Sequence, residues 1–149
     1  MELLNKADNK AVNEYKSFLE EQEGISFMQS LEWTAVKSNW QNEAVIVRDG
    51  NEKIVGACLV LIKKLPLFDR ALLYAPRGPV CGSHNTDVMR EILSGIDHLS
   101  KKYNAFEFIC DPPVSENDKD FTAVMKELGF VQKTASSRSK TETVQCRNN

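Results

Sequence analysis

The chain has 149 residues, 42% hydrophobic and 27% charged, with 7 Gly and 5 Pro. This excludes collagen-like, low-complexity and disordered classes and fits one domain that can bury a core without disulfides or a structural metal. Lys plus Arg total 19 against 21 Asp plus Glu, a net charge of -2, so any contact with nucleic acid is local rather than a broad phosphate-gripping surface.

The longest apolar run, Ile54 to Ile62, is far shorter than the ~20 residues that cross a bilayer. Residues 1–10 also lack the apolar stretch of a signal peptide. The expectation is a cytoplasmic chain with no transmembrane segment. Cys58, Cys81, Cys110 and Cys146 are widely spaced with no histidine at ligand spacing, so the reading is reduced thiols and no metal site.

In chain order, Ala11, Val12, Tyr15, Phe18 and Leu19 follow helical spacing between Asn9 and Glu23, and Gly24 stands where a left-handed stop belongs. Residues 25–29 read as extended. Ser30 then caps a short helix with Leu31, Trp33, Val36 and Trp40 on related faces and Lys37 one turn beyond Trp33. Ala44 to Val47, the turn residues Asp49-Gly50-Asn51 and the run Ile54 to Ile62 predict a hairpin with a long, buried second strand.

After a strand at Leu72 to Tyr74, the segment Ala75-Pro76-Arg77-Gly78-Pro79-Val80 is a loop of defined shape, because its prolines and glycine exclude a helix interior. Met89, Ile92, Leu93, Ile96, Leu99 and Tyr103 form the most regular helical stripe, beginning at Thr86. Ala105 to Cys110 reads as a strand and Asp111 to Lys119 as a polar loop. Phe121, Val124, Met125 and Leu128 mark a helix that stops at Gly129, and Phe130 to Gln132 forms another strand. Residues 134–140 look flexible, and Thr141 to Cys146 has strand character. The order implies one α/β domain.

That order, with Glu127-Leu128-Gly129-Phe130 closing the last helix, resembles the GCN5-related N-acetyltransferase fold, a mixed and mostly antiparallel sheet flanked by helices. More specific are Phe27-Met28-Gln29-Ser30-Leu31-Glu32-Trp33 with Lys37 and Trp40, Val55-Gly56-Ala57, Tyr74-Ala75-Pro76-Arg77-Gly78-Pro79-Val80, and Asp111-Pro112 after a strand. Together they resemble the FemABX family, the aminoacyltransferases that build peptidoglycan cross-bridges.

The resemblance covers the first of the two acetyltransferase-like subdomains of such proteins. It places that subdomain at residues 1–133, with 134–149 as a segment leading toward a second subdomain absent from this sequence. It implies transfer of an amino acid from aminoacyl-tRNA to the amino group of a peptidoglycan precursor, either the nucleotide-linked muropeptide or lipid II. Aminoacyl-tRNA is then a co-substrate, held through the missing half, and no other cofactor is expected. A subdomain without its partner would expose apolar surface through which it could form a homodimer.

The resemblance also gives roles to residues. Lys37 matches the family lysine that contacts the precursor's diphosphate, and a flexible point charge suits a phosphate. Spacing alone favours a lysine on the solvated side of a helix whose Trp33, Val36 and Trp40 are core. Asp111 matches the acid near the acceptor amine, where it would position or deprotonate that amine; otherwise it caps the loop. Arg77 would pair with a phosphate or carboxylate, or else hold its own loop or Asp111. Phe106 would line the precursor site or belong to the core.

Two other readings compete. One is a non-catalytic fragment that at most binds the precursor. The other is an acetyl-CoA-dependent acetyltransferase, which would need an Arg-x-x-Gly-x-Gly turn opening a helix. The nearest approach, Arg77-Gly78-Pro79-Val80-Cys81-Gly82, contains a proline that lacks a donor.

Overall fold

A computed structural model describes residues 1–24, 26–81, 85–112, 118–133 and 143–146. His84, most of the loop predicted at 111–119 and the stretch 134–140 lie outside the described residues.

The elements are β1 (Glu2–Leu3), α1 (Asn9–Glu20), a 3-10 turn (Phe27–Gln29), α2 (Leu31–Val36), β2 (Gln41–Arg48), β3 (Ile54–Lys64), β4 (Ala71–Ala75), β5 (Val80–Cys81), α3 (Thr86–Lys102), β6 (Ala105–Cys110), α4 (Lys119–Glu127), β7 (Phe130–Lys133) and β8 (Thr143–Cys146). The strands form one sheet in the order β1-β2-β3-β4-β6-β8-β7, with β5 also pairing β3. Pairing is antiparallel except between β4 and β6, which run parallel.

Alternation along the central strands divides the core in two. Val45, Val47, Cys58, Val60 and Ile62 face α3 and α4, where they pack with Met89, Ile92, Ile96, Leu99, Phe121 and Met125. Ala44, Ile46, Ala57 and Leu59 face Tyr15, Phe18 and Leu19 of α1. The approach of α3 to the sheet is close: a Cβ on Gly95 would lie 2.5 Å from Val45 Cγ1. Asn85 caps α3 through its side chain, and Lys101 with Lys102 occupy its last turn, the polarity that the helix dipole favours.

Several expectations change. Helix α1 ends at Glu20 rather than Glu23, although Gly24 does adopt a left-handed φ of 69°. Within the segment expected to be extended before Ser30, Phe27–Gln29 form a 3-10 turn, capped where Ser26 Oγ accepts from the Met28 N–H. No residue of α2 is fully buried, Trp33 and Trp40 are half-buried, and Val36 is 63% exposed. Helix α2 has only six residues, and Lys37 leaves helical geometry at ψ 45°, so the chain enters β2 before a second turn could carry Trp40 into the core. Within the segment 134–149, β8 pairs with both β6 and β7. The sheet therefore continues to Cys146.

No helix among the described residues is long and apolar enough to cross a membrane. None of their His, Cys, Asp and Glu side chains form a group that could hold a metal ion.

Candidate active site

Strands β4 and β6 end side by side, with Ala75 opposite Cys110. The carboxyl edge of a parallel pair is where α/β sheets offer space for ligands, since the chains leave the sheet there. The residues that follow, Pro76 to Pro79 and Asp111, build the site.

Asp111 is 8% exposed. Its Oδ1 accepts the Arg77 backbone N–H at 2.7 Å, and the Tyr74 hydroxyl lies near the same carboxylate. Burial raises the Asp111 pKa above the ordinary carboxylate value; the Arg77 N–H, the Arg77 charge and the nearby Tyr74 hydroxyl oppose that rise without cancelling it. The Tyr74 hydroxyl is pushed up to about 12, first by burial and then by the charge of Asp111. It remains a donor at neutral pH. Asp111 thus caps the loop and also presents a carboxylate more basic than usual, and a base whose pKa moves toward neutrality is better suited to accepting a proton.

Arg77 takes a φ of 55°, which is costly for a side chain of this size. That conformation aims its N–H at Asp111. Its guanidinium influences Asp111 and Tyr74 through charge, so the anticipated pairing of Arg77 with Asp111 is made by the backbone.

The loop is held from beneath by Gln29, which is fully buried. Strand β3 pairs with β4 over 61–64 and with β5 over 56–57, leaving Leu59 between them without a strand on that side. Gln29 supplies the missing pairing: its Oε1 accepts the Leu59 N–H at 2.8 Å and its Nε2 donates to the Leu59 carbonyl at 3.3 Å. Nε2 also donates to the Pro76 carbonyl at 2.6 Å. The buried Tyr15 hydroxyl donates to the Gln29 carbonyl at 2.6 Å. One residue thus joins α1, through its backbone carbonyl, to β3 and the loop that carries Arg77, through its amide side chain. Gly78 is required above it, because a Cβ there would lie 2.6 Å from Gln29 Nε2.

Sequence reasoning placed Gln29 in a motif but gave it no role, and gave none to Tyr74. The available signal was Gln29 itself, a neutral amide next to the apolar Phe27-Met28 pair and directly before a capping serine. Buried amides require partners.

Lys37 caps the far end of α2 with its ammonium 5.6 Å from the Trp33 ring centroid. It has no carboxylate partner among the described residues. Trp33 Nε1 is buried and has no acceptor among the described residues. Six helical residues, about 9 Å of axial rise, separate Lys37 from the Gln29 anchor. Phe106 lies elsewhere. It is the extra residue of a bulge, between the Ala71–Ala105 and Leu72–Glu107 pairs, at the start of β6. At about 3.3 Å per residue it is some 16 Å along the strand from Asp111, and it is 41% exposed. The structure brings Asp111, Arg77 and Tyr74 together and leaves Phe106 at the opposite end of the sheet.

Comparison with known proteins agrees with this architecture. The chain is 28% identical over 133 residues to the UDP-N-acetylmuramoylpentapeptide-lysine N(6)-alanyltransferase of Weissella viridescens, covering 88% of this chain and 38% of that protein. It is 30% identical over 125 residues to a lipid II:glycine glycyltransferase of Staphylococcus aureus (strain bovine RF122 / ET3-1), covering 80% and 29%. It therefore spans about three to four tenths of these curated relatives.

Among solved structures, the crystal structure of FemX superposes with a TM-score of 0.79 at 24% identity, covering 94% of this chain and 35% of that one. A probable acetyltransferase from Staphylococcus epidermidis ATCC 12228 shares the fold at a TM-score of 0.61 and 14% identity over nearly the whole of both chains. The fold is that of the GCN5-related acetyltransferases. The FemAB family itself matches residues 11–143, a span holding the Gln29 staple, Lys37, Arg77 and Asp111, and this chain belongs to the FemAB family.

Proposed function

We propose that this chain supplies the precursor-binding first unit of a cytoplasmic aminoacyltransferase, which moves an amino acid from aminoacyl-tRNA onto the amino group of a peptidoglycan precursor. The observation that carries the reading is the Asp111 carboxylate. It lies at the carboxyl edge of β4 and β6, is made more basic by burial, and is fixed by the Arg77 N–H with the Tyr74 hydroxyl nearby.

The reaction is aminolysis of an ester. The acceptor amine forms a bond to the acyl carbon, the carbon–oxygen bond to the tRNA ribose breaks, the amine gives up a proton, and the departing ribose oxygen takes one up as a hydroxyl. Asp111 is suited to orient that amine and to take the proton. Lys37, free of carboxylates among the described residues, is suited to a phosphate oxygen of the precursor, and the charge of Arg77 adds to the attraction at the loop.

An acetyl-CoA donor is disfavoured. A pyrophosphate cradle needs free backbone N–H groups, and within 75–80 the Arg77 N–H is committed to Asp111, the Gly78 N–H to the Ala75 carbonyl, and Pro79 has none.

Calorimetric titration with the nucleotide-linked muropeptide tests the reading. We expect saturable binding that weakens about tenfold in Lys37→Ala, the worth of one hydrogen bond to a charged group. No binding of the precursor would overturn the proposal, and an unchanged affinity in Lys37→Ala would remove that residue from the phosphate site.

A further inference from the structure

The end of the sheet remote from Asp111 carries exposed apolar side chains that the transfer reaction does not use. The β3–β4 connection runs Leu65-Pro66-Leu67-Phe68-Asp69-Arg70, and its tip exposes Leu67 at 86% and Phe68 at 67%. The tip is not slack. Leu65 N–H donates to the Arg70 carbonyl at 2.9 Å and Arg70 N–H to the Phe68 carbonyl at 2.7 Å, so two large apolar groups are presented on a closed, protruding turn. Half-exposed Phe106, at the adjoining start of β6, extends the patch.

The cations around the tip have an unusual arrangement. Lys63, Lys64 and Arg70 lie over the rings of Trp40, Tyr103 and Phe106, at 5.5, 5.9 and 5.9 Å from the centroids. None of the three has a carboxylate partner among the described residues. Asp69 is the one acid in the connection.

We propose that this end of the molecule docks on an anionic phospholipid surface, with Leu67 and Phe68 entering the headgroup region while Lys63, Lys64 and Arg70 meet lipid phosphates. Two features select a bilayer over a protein partner. The apolar groups protrude rather than line a groove, and they are ringed by cations over aromatic rings, the composition that favours a membrane interface. The charge is of the right sign for the cytoplasmic leaflet. Docking does not depend on the chemistry proposed for Asp111.

Sedimentation with vesicles of phosphatidylcholine and phosphatidylglycerol in equal parts, against phosphatidylcholine alone, tests the idea. We expect binding to the anionic vesicles that weakens as salt rises. Leu67→Ser/Phe68→Ser should lose affinity about tenfold or more, and Lys63→Gln/Lys64→Gln/Arg70→Gln about fivefold per cation. These side chains are exposed, so unchanged melting temperatures should accompany both losses. Equal binding by the wild type and the Leu67/Phe68 variant would overturn the proposal, as would indifference to lipid charge. A dimer that this variant dissociates, without vesicle binding, would overturn it in favour of self-association.

Discussion

The two faces of the sheet are held by different physics. Against α3 and α4, the core is apolar, with Met89, Ile92, Ile96 and Leu99 laid over Val45, Val60 and Ile62, and polar contacts are confined to its edge, where Lys102 and Tyr103 meet Glu43. Against α1 the apolar cluster is smaller, and the adjoining loop is secured by directional bonds from Gln29 and Tyr15 to backbone groups. A packed apolar face tolerates volume-conserving exchange, whereas an amide in a gap between strands has no substitute. The candidate site stands on the second kind of support, as expected where geometry matters more than total burial.

Removing one support from each side would sharpen that contrast. Gln29→Ala strands the Leu59 N–H, the Leu59 carbonyl and the Pro76 carbonyl, so we expect a loss of about 4 kcal/mol, at about 1–3 kcal/mol per unsatisfied buried group. Ile92→Ala should cost about 3 kcal/mol as an ordinary core cavity. Denaturant unfolding gives both numbers. Amide exchange separates them, because Leu59 and Arg77 should lose protection selectively in the Gln29 variant. Uniform loss in both variants would break the distinction. Gly78→Ala is the milder form of the same test: its Cβ would press on the Gln29 amide, and we expect about 1–3 kcal/mol.

The apolar face was legible in the sequence because periodicity is a local record of burial. The α3 stripe, the β2–β3 alternation and the stop at Gly129, whose φ is 90°, all appeared where spacing put them. What spacing could not show was pairing across distance. Gln29 meets Leu59 thirty residues on and Pro76 forty-seven residues on, and β8 enters between β6 and β7, with no trace in either segment's own pattern. Asp111 was legible as a strand-end acid before proline. Its hold on the Arg77 backbone was not, since it depends on a left-handed arginine that no composition rule predicts. The short α2 was misjudged because the apolar spacing of Trp33, Val36 and Trp40 continues after the helical backbone has ended.

The smallest expected effect is the most specific to the site. Asp111→Asn keeps an oxygen for the Arg77 N–H, so the fold should persist, while the ionisable group is lost. Because burial raises the Asp111 pKa in the folded chain, the folded state binds that proton more tightly than the unfolded state does. Its contribution to stability is therefore fully present below the unfolded carboxylate pKa of about 3.9, and is lost as pH rises through the higher folded value. Glu43 has the opposite sign: Lys102 and Tyr103 hold its pKa below the usual value despite burial, so its contribution is lost as pH falls. Subtracting the variant's melting curve from the wild type's cancels Glu43 and leaves Asp111. The stability of Asp111→Asn relative to wild type should climb as pH rises from about 4 through the folded value of Asp111 and then level off. A difference that stayed flat with pH would mean that the Arg77 N–H and Tyr74 hydroxyl fully offset the burial of Asp111, and would remove the physical basis for treating it as the base.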